Sequence, residues 1–317
     1  KRQVEGMVGL VPLKSIPASA RILLRLPELP ADARVAVIEM ASASGLALLV
    51  PAERDLWQTT TAGTGELMRL ATGRGAAAIV LGIGGSATND LGLGALEALG
   101  LEFLDAGGDR VSPPVPARWR EIARIGGRLT PGLPPIRIAC DVTNPLLGPR
   151  GAAATYGPQK GLRPGDLARL DHEGARIALM LCAHFGRPDA LMDTPGTGAA
   201  GGISFGLMAA AGAELLPGFD LVSAWLDVEA RLARADVVLT GEGRFDDSSL
   251  QGKGPGAVAA RALALGKRVH VFAGRATVAH PPPGLALHSI TPDGMALDEA
   301  LPRAAEFLRE KVRAALG

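Results

Sequence analysis

Cysteine is scarce in this 317-residue chain: there are two, Cys140 and Cys182, and neither belongs to a C-x-x-C pair. A chain of this length needs no disulfide framework, and the usage fits a reducing cytoplasm. Net charge is scarce as well. The 33 Lys and Arg against 32 Asp and Glu leave +1, which denies nucleic acid or anionic lipid a broad basic surface. A small-molecule substrate is therefore expected, with no nucleic-acid or membrane partner. The five histidines form no H-x-H, H-E-x-x-H or Cys-His pattern, so a transition metal has no ligand set. The uncharged run Gly196 to Ala213 is rich in Gly and carries Thr and Ser, which predicts a buried loop and helix in place of a membrane span. The opening KRQVEG has no Met and leads into no secretory apolar core.

What is present is a folding composition, with 47% hydrophobic residues, 21% charged residues and a mean hydropathy of +0.22. The length suggests about two domains. Apolar runs bounded by turn residues (RVAVIEM, AAIVLGI, IRIACDV, ADVVLTG, KRVHVFAG) alternate with helical patterns, and such alternation predicts an α/β fold. Helices are expected to start near Thr64 and to end at Gly186. From Ala235 onward, strand, charged loop, helix and strand follow in order, a βαβ unit that calls for a parallel pair. Ligands bind beyond the carboxyl ends of such strands, where GEGRFDDSSLQGKGPG, Gly241 to Gly256, is expected to form a loop.

Lysine is the rare cation, with six in the chain, and two of them, Lys160 in GPQKG and Lys253 in QGKGP, lie in glycine contexts. Such a lysine offers phosphate a compact charge beside approachable backbone N–H groups, or is an ordinary turn residue. The Lys253 loop is not a Walker A loop, because Asp247 and Gly254 stand where glycine and Ser or Thr are required. In IVLGIGGSATNDLGLG, Gly82, Gly84 and Ala87 match the G-x-G-x-x-A dinucleotide fingerprint, with Glu102 or Asp105 at ribose distance. The succession Ser86, Thr88, Asn89, Asp90 is foreign to that fingerprint and suits a loop around an anion or a metal-bound ligand. Asp141 and Asn144 follow a predicted strand, where an Asx-turn or a ligand contact are both open.

GIGGSATND, CDVTNPLLGPRGAAATYGPQKG, PGTGAAGGISFGLMAAAGAELLPGFDLV, GEGRFDDSSLQGKGP and TPDGMALDEAL, in this order, resemble the bacterial glycerate kinases of type I. The resemblance runs from about VAVIEMASASGLALL to the C-terminus. It implies transfer of the γ-phosphoryl group of ATP, with Mg2+, to D-glycerate, usually giving 2-phosphoglycerate. It also implies two domains: a parallel-sheet Rossmann/flavodoxin-like domain, represented by 196–317, and an inserted mixed α/β domain, 1–195. The family's opening DSFKGS-like and DGGEGT-like segments are not found, and NDLGLG stands where the family usually shows NDGGAG. A non-catalytic ligand-binding relative, or an NAD(P)-dependent oxidoreductase, are the alternatives; a homodimer is an open alternative to a monomer.

Phosphoryl transfer asks for cations, carboxylates for magnesium and a group that orients the hydroxyl. On this reading Arg244, Lys253 and Lys160 supply the cations. Asp246, Asp141 and Glu242 serve magnesium or accept the hydroxyl proton, with Glu242 and Asp246 as the metal pair. The backbone N–H groups of Gly84, Gly85 and Ser86 would receive the glycerate carboxylate, and Asn89, Asp90 and Asn144 complete the substrate set.

Overall fold

The computed structural model describes residues 3–247, 249–250 and 254–317. The chain divides into two compact units, 1–221 and 222–317.

In the first unit the apolar runs become the strands of one five-stranded sheet, in the order β1-β2-β3-β6-β7. These are β1 Val8–Pro12, β2 Arg34–Glu39, β3 Ala78–Gly82, β6 Ile136–Ala139 and β7 Glu214–Leu216. All neighbours run parallel except β1, which pairs antiparallel with β2. Val35, Ala36, Ile38, Ile79 and Leu81 are buried, as expected of parallel strands covered on both faces. The short strands β4 Leu101–Leu104 and β5 Arg124–Gly127 form a separate antiparallel ribbon.

The covering helices are α1 Ala18–Leu24, α2 Ala41–Ser44, α3 Ala62–Gly73, α4 Leu93–Ala98, α5 Ala152–Tyr156, α6 Leu167–Phe185 and α7 Ile203–Ala211. Helix α6 buries Leu170, Gly174, Ile177, Ala178 and Leu181, one stripe at helical spacing. It stops, as the sequence predicts, at Gly186 with φ 60°, a left-handed cap that glycine adopts without strain. Helix α3 begins at Ala62, two positions before the expected Thr64. The uncharged run 196–213 is the buried turn and helix it was predicted to be: Ile203, Phe205 and Leu207 are fully enclosed. No described helix is long and apolar enough to cross a membrane.

The unit boundary after Leu221 differs from the expected 195/196. Residues 196–221 stay with the first unit because β7 completes its sheet and α7 packs on α4 and α6. The boundary lies within α8 Gly218–Trp225, which is followed by α9 Val228–Arg234.

The second unit contains β8 Val237–Asp246, α10 Gly254–Ala264, β9 Arg268–Thr277, β10 Leu285–Ser289, α11 Leu297–Ala300 and α12 Ala304–Leu316. The strand order is β10-β9-β8, all parallel, so the βαβ expectation holds. One expectation does not. Gly241 to Asp246, read as loop, continues β8 and pairs with β9 as far as Asp246↔Thr277. The reason is Phe245, fully buried with Val238, Val269 and Val271; burying that ring pins the charged stretch in extended form.

Candidate functional site

Strands β3 and β6 are neighbours, so the segments leaving their carboxyl ends lie side by side. One is Ile83-Gly84-Gly85-Ser86 and the other is Cys140-Asp141-Val142. With Tyr156, Gln159 and Lys160 they enclose a cavity of about 460 Å³, at the sheet edge where doubly wound proteins bind ligands. Of the residues singled out from sequence, Gly84, Gly85, Ser86, Asp141 and Lys160 share this cavity.

Gly85 has φ 65° and turns the chain so that successive N–H groups can face one way. The N–H groups of Gly84, Gly85 and Ser86 meet no acceptor among the described residues. Lys160 is 2% exposed. Its Nζ donates to Ser86 Oγ at 2.8 Å and to the Thr88 carbonyl at 2.7 Å. Burial pulls the ammonium down to about 8, against the attraction of the Asp90 charge. A desolvated lysine beside N–H groups that meet no acceptor among the described residues has the chemistry of an anion cradle: an anion's charge would offset the solvation that burial removed.

Asp90 and Asn89 lie behind this wall. Asp90 is fully buried, where it accepts from Thr61 N and Oγ1 at 2.7 and 2.9 Å and from Gly92 N and Gly94 N, both at 3.1 Å. It thereby ties α3 to α4, while burial holds its carboxyl above the ordinary carboxylate range despite those donors. Asn144 braces the neighbouring wall. Its Nδ2 donates to the Arg150 carbonyl at 2.7 Å and to Thr155 Oγ1 at 3.1 Å, and its Oδ1 accepts from Tyr156 Oη at 2.7 Å. Asp141 faces the cavity but is also engaged at the start of α8, accepting from Phe219 N at 2.9 and 3.1 Å.

Sequence reasoning passed over Tyr156, the chain's single tyrosine. It lines the cavity, its ring centroid is 6.0 Å from Lys160 Nζ, and burial pushes its hydroxyl up. Its position between Asn144 and Lys160 in NPLLGPRGAAATYGPQKG was the available signal. Cys140, a second cavity residue, is likewise raised by burial.

Glu242, Arg244 and Asp246 belong to the second unit, at alternate positions of β8 and hence on one face. Arg244 Nε lies 3.1 Å from Asp246 Oδ2. Glu242 Oε1 is buried and has no hydrogen-bond partner among the described residues. Lys253 lies outside the described residues. Among the described residues no three His, Cys, Asp or Glu side chains gather closely enough to hold a metal ion by themselves.

Two other chemistries fail on topology. A dinucleotide fold would place β4, which carries Glu102, beside β3; here it pairs with β5 in another sheet, and Glu102 is held by Arg110. Gly202-Ile203-Ser204-Phe205-Gly206 has the spacing of a hydrolase elbow. Ser204, however, is buried within α7 and donates to the Ala199 carbonyl at 3.2 Å.

Comparison with known proteins shows the family. A family profile described as "Glycerate kinase family" matches residues 17–316. Glycerate kinase of Bacillus subtilis (strain 168) is 40% identical over 290 residues, 89% of this chain and 75% of that protein. Glycerate 2-kinase of Escherichia coli (strain K12) is 42% identical over 261 residues, 78% of this chain and 65% of that protein. A crystal structure assigned as glycerate kinase 2 from Salmonella typhimurium LT2 is 39% identical with a TM-score of 0.66, covering 98% of this chain and 82% of that one.

Proposed function

The chain belongs to the glycerate kinase family, and from that premise we propose that it transfers the γ-phosphoryl group of ATP to the 2-hydroxyl of D-glycerate. The observation that carries this reading is the cradle of Gly84, Gly85 and Ser86 N–H groups beside buried Lys160. It suits a small carboxylate far better than an extended cofactor. The acceptor's carboxylate would take the N–H groups and Lys160 would neutralise it, leaving the hydroxyls toward Asp141 and Tyr156. Asp141, open to the cavity, is the group placed to accept the hydroxyl proton.

The donor's phosphates require cations, a task for Arg244 and Lys253. Magnesium is commonly held by one or two carboxylates together with substrate phosphates, and the unpaired oxygen of Glu242 with Asp246 four residues along the same strand face suits that partial ligand set. When bound, the ion would neutralise charge on the transferring phosphoryl group. On this reading the second unit is the C-terminal part of a Rossmann/flavodoxin-like domain, the first is the inserted mixed α/β domain, and the use of ATP fits a cytoplasmic enzyme.

The test is a coupled ATPase assay with D-glycerate and magnesium, with the product identified by NMR. D-glycerate-dependent ADP release giving 2-phosphoglycerate is expected. Saturable glycerate binding without ADP release would instead make the chain a binding protein, and micromolar affinity for NAD or NADP with no response to glycerate would overturn the reading altogether.

A further inference from the structure

Apart from Lys160's cavity, a second and much smaller space of about 10 Å³ is lined by Asn89, Trp119, Asp171 and apolar neighbours that include Leu146, Leu170 and Ala153. Among the described residues, three buried polar atoms with no hydrogen-bond partner belong to residues that line it: Asn89 Oδ1, Trp119 Nε1 and Asp171 Oδ1. The other oxygen of Asp171 accepts from Gly148 N at 2.9 Å, and Trp119 is fully buried. Leaving one such atom buried and unpaired is costly, so three orphans around one space call for a common partner.

We propose that this space is the binding site of a single structural water. The chemistry of the walls selects it. Trp119 Nε1 can only donate, whereas Asn89 Oδ1 and Asp171 Oδ1 can only accept when the latter is ionised. A water accepts from the indole and donates one hydrogen to each oxygen, completing all three with the three bonds that buried waters typically make. A metal cation would be repelled by the indole N–H, and an ammonium ion would leave it without an acceptor. Size agrees: about 10 Å³ is at the lower limit for one water and too small for two. The water fastens the Asn89 end of the Gly84–Asp90 loop to the Pro116–Glu121 turn and to α6, while Lys160 holds the same loop from the cavity side through Ser86 and Thr88. Asn89 thus has a task that needs no contact with substrate.

The experiment is a crystal structure of the full chain, at a resolution that shows ordered solvent, together with NMR on the same protein labelled with 15N-tryptophan. The expected density is one isolated peak within about 2.7–3.2 Å of all three atoms. In solution the Trp119 indole proton, assigned by its loss in Trp119→Phe, is expected to cross-relax with a water that stays longer than about a nanosecond. Density without such a peak, direct pairing of the three side chains, or an indole with no water cross-peak would each overturn the proposal. None of these outcomes depends on catalytic activity, so they are separable from a failure of the kinase reading.

Discussion

Replacing Lys160 with methionine should remove function while leaving the fold almost as stable as before. At neutral pH the native protein carries a buried ammonium, drawn down from 10.5 to about 8 by burial. That displacement is about 3 kcal/mol of cost to the charged form, and methionine recovers it while filling similar volume. Against this gain, Ser86 Oγ and the Thr88 carbonyl lose their donor, at about 1–3 kcal/mol each; Ser86 faces the cavity, so water limits its share. The net change at about pH 7 is expected within about 2 kcal/mol of zero. The pH dependence is the sharper readout. Between about pH 8 and the unfolded lysine value the unfolded chain holds a proton the fold has shed, so stability must rise with pH there, by about 2 kcal/mol from about pH 7 to about pH 9.5. Urea unfolding in a Trp225→Phe background, where Trp57 and Trp119 report the first unit alone, measures this for wild type and Lys160→Met. Wild type should gain that increment and the variant should lack it, with kcat/KM lower by roughly a hundredfold. An equal pH response in both proteins, or a loss above about 4 kcal/mol in the variant, would refute the assignment of a charged, desolvated Lys160.

Asp90→Ala strips four donors of their acceptor and should cost about 3–5 kcal/mol in urea unfolding, unlike the near-neutral Lys160 change. Tyr156→Phe deletes the donor to Asn144 Oδ1; about 1 kcal/mol of stability and a severalfold rise in KM for glycerate are expected from unfolding and steady-state kinetics. Arg244→Ala should lower kcat/KM by about a hundredfold with an unchanged melting temperature, because a guanidinium 73% exposed gains little from its pair with Asp246. Lys253→Ala should behave as Arg244→Ala does; near-normal kinetics in both would leave them as surface residues.

The carboxyl-end loops were legible because glycine-rich polar stretches after apolar runs have few structural uses, and GIGGSATND and GPQKG do meet at one cavity. The sequence could not say which residues of GIGGSATND face outward. Ser86 lines the cavity while Asn89 and Asp90 are buried in the core, beside Trp119 and Asp171 in one case and Thr61 in the other, all distant in the chain. Gly241 to Asp246 was misread for a related reason: its charges suggest a loop, but one buried ring, Phe245, decides the backbone. The domain boundary was misplaced because 196–221 is glycine-rich like a linker, and only the pairing of β7 with β6 shows where it belongs. Lys160 looks like a turn lysine in sequence, and nothing local announces that it is enclosed.

Gly201 has a further consequence, for how this scaffold can diverge. It sits at φ 72°, and a Cβ there would come within 2.0 Å of the Thr88 carbonyl, the oxygen that also receives Lys160. Gly206 is similarly pressed against the Leu91 carbonyl, at 2.1 Å. The segment behind Thr88 is therefore packed main chain against main chain, and a side chain at Gly201 would displace the carbonyl that holds the lysine. Leu46, Val142 and Gln159, which line the Lys160 cavity and are free of that constraint, are where selection for a different hydroxy acid has room to act. Libraries aimed at new acceptors should randomise those three positions and hold the glycines fixed.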